Sequence, residues 1–188
     1  PRGQWERPLV LGILDDHSRL CCHLQWYLSE TTEDLVHGLS QAIQKRGLPR
    51  SLMSDNGSAM LAEEFTEGLL RLGILHKKTL CYSAYQNGKQ ENFWAHLEGR
   101  LMEMLGNLPE LTLDFLNQAT QAWVEIEYNR ATHREIGCSP VTRTGATYGL
   151  PNVRLIVSAI AAGCDAEPAP RAQGREIVVD RAAAVAHM

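Results

Sequence analysis

The chain reads as an α/β fold with a mixed sheet, on three observations. Two short apolar runs, residues 9–14 and 20–28, flank the polar stretch Asp15-Asp16-His17-Ser18-Arg19, as the strands of a β-hairpin flank their turn. From residue 31 onward, segments with apolar residues at a period near 3.6 alternate with short apolar runs. Glycine punctuates the changes, as at Gly47-Leu48-Pro49, Asn56-Gly57 and Gly73.

The elements follow in order. Thr31 is placed to cap a helix, with Glu33 and Asp34 in its first turn, where carboxylates face the positive end of the helix dipole. Leu35, Leu39, Ala42 and Ile43 give that helix its apolar stripe, and Gly47-Leu48-Pro49 ends it. Residues 51–54 read as a short strand running into the polar turn Asp55-Asn56-Gly57-Ser58. Leu61, Phe65, Leu69 and Leu72 mark a second helix, and residues 74–79 a further strand. Residues 81–88 show no period and read as a loop. A strong helix is expected from about 89 to 105, with Phe93, Leu97, Leu101 and Met104 buried. Thr112 caps a last long helix with Leu116, Ala119, Trp123 and Ile126 inward. Beyond residue 150 the texture changes to Ala-, Gly- and Pro-rich stretches. The expected division is therefore a core over 1–150 and a linker with a weakly structured tail over 151–188, in which residues 175–180 carry one strand pattern.

Composition narrows the class. With 44% hydrophobic and 21% charged residues in 188, the chain resembles an ordinary globular domain. No apolar run approaches the roughly 18–20 residues of a membrane span, and the first residues do not form a signal peptide, so no membrane partner and a cytoplasmic location are expected. The five cysteines show no zinc-ligand spacing, which fits free thiols in a reducing compartment. A net charge of −4 lacks the basic excess usual in a dedicated DNA-binding domain, so DNA binding would lean on a separate basic domain.

Two carboxylates stand where chemistry can use them. Asp55 falls at the expected C-terminal end of a strand, where open α/β sheets place ligands. Glu91 falls at the expected start of a helix behind a glycine-containing loop. Cutting a phosphodiester needs an activated oxygen nucleophile and stabilisation of charge on the leaving oxygen. Carboxylates from separate elements supply both by holding two Mg²⁺ ions about 3.5–4 Å apart. Alone, Asp55-Asn56-Gly57 is an ordinary turn and Glu91 an ordinary first-turn acid; the pair carries the argument.

Ser54-Asp55-Asn56-Gly57-Ser58, followed by Tyr82 and then Gly88-Lys89-Gln90-Glu91-Asn92-Phe93-Trp94, resembles the second and third acidic positions of the DDE transposase/integrase superfamily. Thirty-five residues separate Asp55 from Glu91, matching the spacing of that family. Tyr128-Asn129-Arg130-Ala131-Thr132-His133 and Ser139-Pro140 are similar to the segment that closes the core in bacterial insertion-sequence transposases. The resemblance covers roughly residues 9–145. It implies an RNase H-like, retroviral-integrase-like core: a mixed sheet with helices on both faces, here lacking its first strand through N-terminal truncation. It further implies a polynucleotidyl transferase that cleaves and joins DNA (DNA integration, transposition) with Mg²⁺ or Mn²⁺, two ions in the complete site. Asp55 and Glu91 would be the catalytic and metal-binding residues, and Asn56, Ser58, Tyr82, Asn87 and Lys89 would touch DNA. Expected partners are transposon-end and target DNA, further copies of the chain, and an upstream DNA-binding domain of helix-turn-helix type.

Three positions depart from the family pattern. Its first acidic residue lies on the strand before the hairpin, and here that strand would fall before Pro1; Asp15 and Asp16 look like the hairpin turn. A position commonly Lys or Arg, seven residues after the glutamate, is Glu98, and a loop proline is replaced by Ala84. These departures keep two other readings open: a decayed or domesticated core that binds nucleic acid or self-associates without catalysis, and an RNase H-like nuclease that cuts without joining. His17, His23 and His37 show no ligand spacing.

Overall fold

A computed structural model of the chain describes residues 5–55, 57–78, 84–106, 108, 111–145, 154–161 and 179–180. The elements in chain order are β1 (Trp5–Glu6), β2 (Leu9–Asp15), β3 (Cys21–Tyr27), α1 (Thr32–Arg46), β4 (Ser51–Ser54), α2 (Ser58–Leu61), α3 (Glu63–Arg71), β5 (Leu75–Lys78), α4 (Ala84–His96), α5 (Glu103–Leu105), α6 (Leu113–Trp123), α7 (Pro140–Gly145), β6 (Arg154–Ala161) and β7 (Val179–Asp180). Single π-helical stretches, Leu97–Met102 and Val124–Tyr128, continue α4 and α6.

Five strands form one sheet in the order β3-β2-β6-β4-β5, and β1 pairs with β7 separately. β2 runs antiparallel to β3 and to β6, whereas β4 is parallel to both β5 and β6. The mixed sheet is therefore as expected, but its middle is not. Residues 154–161, assigned by composition to the linker and tail, form the central strand. Local texture gives no sign of this, because a strand paired on both sides is held by hydrogen bonds to distant residues rather than by its own periodicity.

The continuous apolar run of β2 is explained by burial on both faces. Val10 and Leu14 pack with Phe93, Trp94, Leu97, Leu101, Leu116 and Trp123 on the side of α4 and α6. Leu11 and Ile13 pack with Leu35, Leu39, Leu52, Phe65 and Leu69 on the side of α1 and α3. Gly12 lies under α4: a Cβ there would sit 2.8 Å from the Trp94 ring, so the helix approaches the strand as closely as it does because position 12 has no side chain. In β3, Cys22 is an extra residue, since Ile13 pairs with His23 and Leu14 with Cys21. This bulge reverses the alternation, so Cys22 faces the α1 side while Cys21, Leu24 and Trp26 face the α6 side.

β3 is a sheet edge, and side-chain amides cover it. Asn129 accepts from the Cys21 N–H at 2.9 Å and donates to the Cys21 carbonyl at 3.1 Å, as a neighbouring strand would. Asn117 does the same for Trp26, at 2.8 and 3.1 Å, and Gln121 donates to the Leu24 carbonyl. An edge whose N–H and C=O groups are taken in this way offers no template to another strand.

Three local expectations are corrected. α4 begins at Ala84 and absorbs most of the expected loop, because Gly88 costs a helix only about 1 kcal/mol and its neighbours favour helix. The long helix after Asp55 is two, broken at Ala62. Met104 is 64% exposed and Leu105 takes its place in the core, because the π-helical stretch keeps residues 93, 97, 101 and 105 in line at a spacing of four. Thr31 does cap α1, in a reciprocal box with Asp34, and Thr112 caps α6.

His23 is 2% exposed on the α1 side of β3, and neither ring nitrogen has a hydrogen-bond partner. Burial lowers its pKa to about 4, helped by Lys45 and His37 and opposed weakly by Gln25. Below pH about 6.5 the unfolded chain therefore takes up a proton that the folded chain refuses, and stability falls until about pH 4. Urea unfolding of the wild type and of His23→Gln, compared at pH 7, 5.5 and 4, is expected to show a loss specific to the wild type. It amounts to on the order of 3 kcal/mol when complete; parallel pH curves would refute it.

Candidate active site

Asp55 follows directly from β4, at its C-terminal end, and is exposed. Its Oδ1 accepts from the Gly57 N–H at 2.9 Å, which turns the chain into α2. The backbone before it is anchored: Ser54, 1% exposed, donates from Oγ to the Asp55 carbonyl at 3.0 Å and meets His76 Nε2 of β5 at 2.8 Å. Burial, and then Lys78, lower the pKa of His76. The Glu30 carboxylate borders the same turn, 3.8 Å from where a Cβ of Gly57 would lie; nothing in the sequence singled it out.

Alternation along β4 sets the direction of the site. Leu52 belongs to the core on the α1 side, and Ser54 shares its face, so Met53 falls on the opposite one; Asp55 lies just past the end of the strand. Glu91 is carried by α4. Phe93 and Trp94 bury its inner side, Trp94 over Gly12, and Glu91 is exposed one turn earlier.

The hairpin turn divides the two aspartates between structural tasks. Asp15 is 5% exposed, and its carboxylate accepts from the N–H groups of His17 and Ser18 and from the Ser18 hydroxyl. Arg19 completes the turn with a φ of 63°, a conformation that side chains other than glycine rarely adopt. Asp16 reaches α4 instead, 2.6 Å from Lys89 Nζ. Lys89, expected to touch DNA, is thus held by a carboxylate for which a phosphate would have to compete. Arg19 pairs with Glu135 at 2.7 Å, and that hydrogen bond lowers the pKa of Glu135.

The segment 128–140 fastens this corner. Tyr128 is buried edge-on against Phe93 of α4, with centroids 4.9 Å apart, and against His133 at 4.7 Å. His133 Nε2 meets the Tyr128 carbonyl at 3.1 Å, and Asn129 holds β3. Ser139 caps α7 through the Thr142 N–H. Sequence reasoning found this segment, but its work is to lock α4 against the hairpin.

Of the other expected DNA contacts, Ser58 is exposed at the start of α2 and Asn87 lies within α4, while Asn56 and Tyr82 lie outside the described residues. Among the described residues, no group of three or more His, Cys, Asp or Glu comes together as a metal site would require. Asp55 and Glu91 alone do not fit a two-ion centre, whose charge needs at least one more carboxylate.

The integrase core domain family matches residues 2–83. No curated protein matches the chain. Among solved structures, the HTLV-2 integrase catalytic core domain in complex with magnesium aligns with a TM-score of 0.57 and 22% identity, over 74% of this chain and 91% of that one. The BIV integrase catalytic core domain aligns at 0.61 and 20% identity, over 77% and 93%. The simian T-cell lymphotropic virus intasome in complex with PP2A regulatory subunit B56 gamma aligns at 0.64 and 18% identity, over 92% of this chain and 62% of that one. The chain thus shares the fold of integrase catalytic cores, and residues 2–83 are similar to the integrase core domain family.

Proposed function

We propose that this chain is the catalytic core of a polynucleotidyl transferase that cleaves DNA at an element's end and joins the freed 3′-hydroxyl to target DNA, with Asp55 and Glu91 as its acidic residues. What supports the reading is that Asp55 follows β4 directly and is exposed, and that Glu91 is exposed on α4, thirty-five residues further on. Mg²⁺ or Mn²⁺ is the cofactor this reading expects, with the further carboxylate coming from outside the described residues. DNA, further copies of the chain and an upstream DNA-binding domain are its expected partners, and the cytoplasm its expected location. The test is strand cleavage and joining of duplex oligonucleotides by the full-length protein with Asp55→Asn or Glu91→Gln. Cleavage without joining would make it a nuclease of the same fold.

A second reading, a core that binds DNA or self-associates without catalysis, is favoured by the incomplete carboxylate set and by the engagement of Lys89 with Asp16. Glu98 bears on both. It is exposed at the start of the π-helical stretch, two turns beyond Glu91. If this face meets DNA, Glu98→Lys tightens binding and steepens the log–log dependence of affinity on salt by about one unit. An unchanged salt slope would place the DNA elsewhere.

A further inference from the structure

β5 is the sheet edge opposite β3, and it ends in two consecutive lysines. Lys77 pairs with Met53, and Lys78 with Ser54, the residue before Asp55. Adjacent strands lie about 4.8 Å apart, so the lysines stand one strand spacing from the end of β4. Alternation sets them astride the edge: Lys78 shares a face with His76 and Ser54, and Lys77 shares the opposite face with Met53. Both are exposed. Several other cations are already engaged, Arg19 by Glu135, Arg46 by Glu125, Arg71 by Glu67 and Lys89 by Asp16. Among the described residues Lys77 and Lys78 have no such carboxylate partner.

We infer that Lys77 and Lys78 hold the DNA backbone where it passes the end of β4 and β5, beside Asp55. This rests on the reading of the chain as one that acts on DNA. With a net charge of −4 the chain as a whole repels a polyanion, so binding has to lean on cations whose charge is not already offset. One lysine on each side of the strand end suits a backbone lying across it, and phosphate contacts of this kind fix position without reading sequence. The exposed side of α4 is the poorer path, because Lys89 is held by Asp16 and Glu98 is negative. A simpler role for the pair is to keep other strands off an open edge, and the two roles give different results.

The test is the affinity of the full-length protein for a labelled duplex oligonucleotide across salt concentrations, with a chelator present so that binding is read apart from cleavage. Each of Lys77→Gln and Lys78→Gln is expected to lower the log–log slope by about one unit, and the double variant by about two. The deficit of the double variant then shrinks about tenfold between about 50 and 200 mM salt. Arginine at both positions should keep the wild-type slope. Lys45→Gln, which removes one charge at the far edge, where Lys45 donates to Gln121 at 2.8 Å, should keep it too. A glutamine double variant with an unchanged slope overturns the inference, and self-association of that variant would make the lysines guards of the edge. An equal fall in Lys45→Gln would also overturn it, since net charge alone would then set the slope. If the wild type binds no duplex DNA, the reading of the chain as one that acts on DNA fails as well.

Discussion

Asp55→Asn and Glu91→Gln are each expected to lower cation-dependent strand cleavage and joining by the full-length protein about a hundredfold or more, with little loss of stability. The size follows from removing one group that offsets charge in the transition state, a loss of about 10²–10³ where single groups have been removed. Selectivity for activity follows from exposure. Both side chains lie at the surface, where substitutions change stability by about 0.5 kcal/mol or less. Asparagine at 55 also keeps an oxygen to accept from the Gly57 N–H, so the turn into α2 survives. Activity at wild-type levels in either variant would remove that residue from the site, and a melting temperature lowered by many degrees would make it structural. A wild-type protein that binds DNA without cutting it would leave the non-catalytic reading.

The largest expected loss of stability is at Asn129. Its amide is 0% exposed and holds both the N–H and the C=O of Cys21. Alanine leaves two buried backbone groups without partners, at about 1–3 kcal/mol each, so the total is about 4 kcal/mol. For a chain of this size that lowers the melting temperature by roughly 10 °C. Asn117 makes the matching pair with Trp26 but is only partly buried, so water can replace it, and Asn117→Ala should cost about 1 kcal/mol. Thermal unfolding of the two variants side by side checks the ordering. Equal losses would show that edge coverage, not burial, sets the cost. Because Asn129 follows Tyr128 and accepts the turn into α7 through its carbonyl, its loss also frees the corner that steadies α4.

The signals legible in the sequence were those that depend on near neighbours. The hairpin, the Thr31 and Thr112 caps, the stripes of α1 and α4 and the turn at Asp55 are each set by residues within a few positions of one another, where period and capping chemistry act directly. Singling out Asp55 with Glu91 rested on spacing and resemblance; Asp55 does follow a strand end, whereas Glu91 lies within α4 rather than at its start. Tertiary structure decided the rest. Only the packing of α4 on Gly12 and the tie from Lys89 to Asp16 separate the roles of Asp15 and Asp16. Only the π-helical stretch exchanges Met104 for Leu105. The central strand is the furthest from local reading, because residues 154–161 earn their place through backbone pairing with β2 and β4, which lie far away in the chain. Register across a sheet is a property of partners, not of a segment.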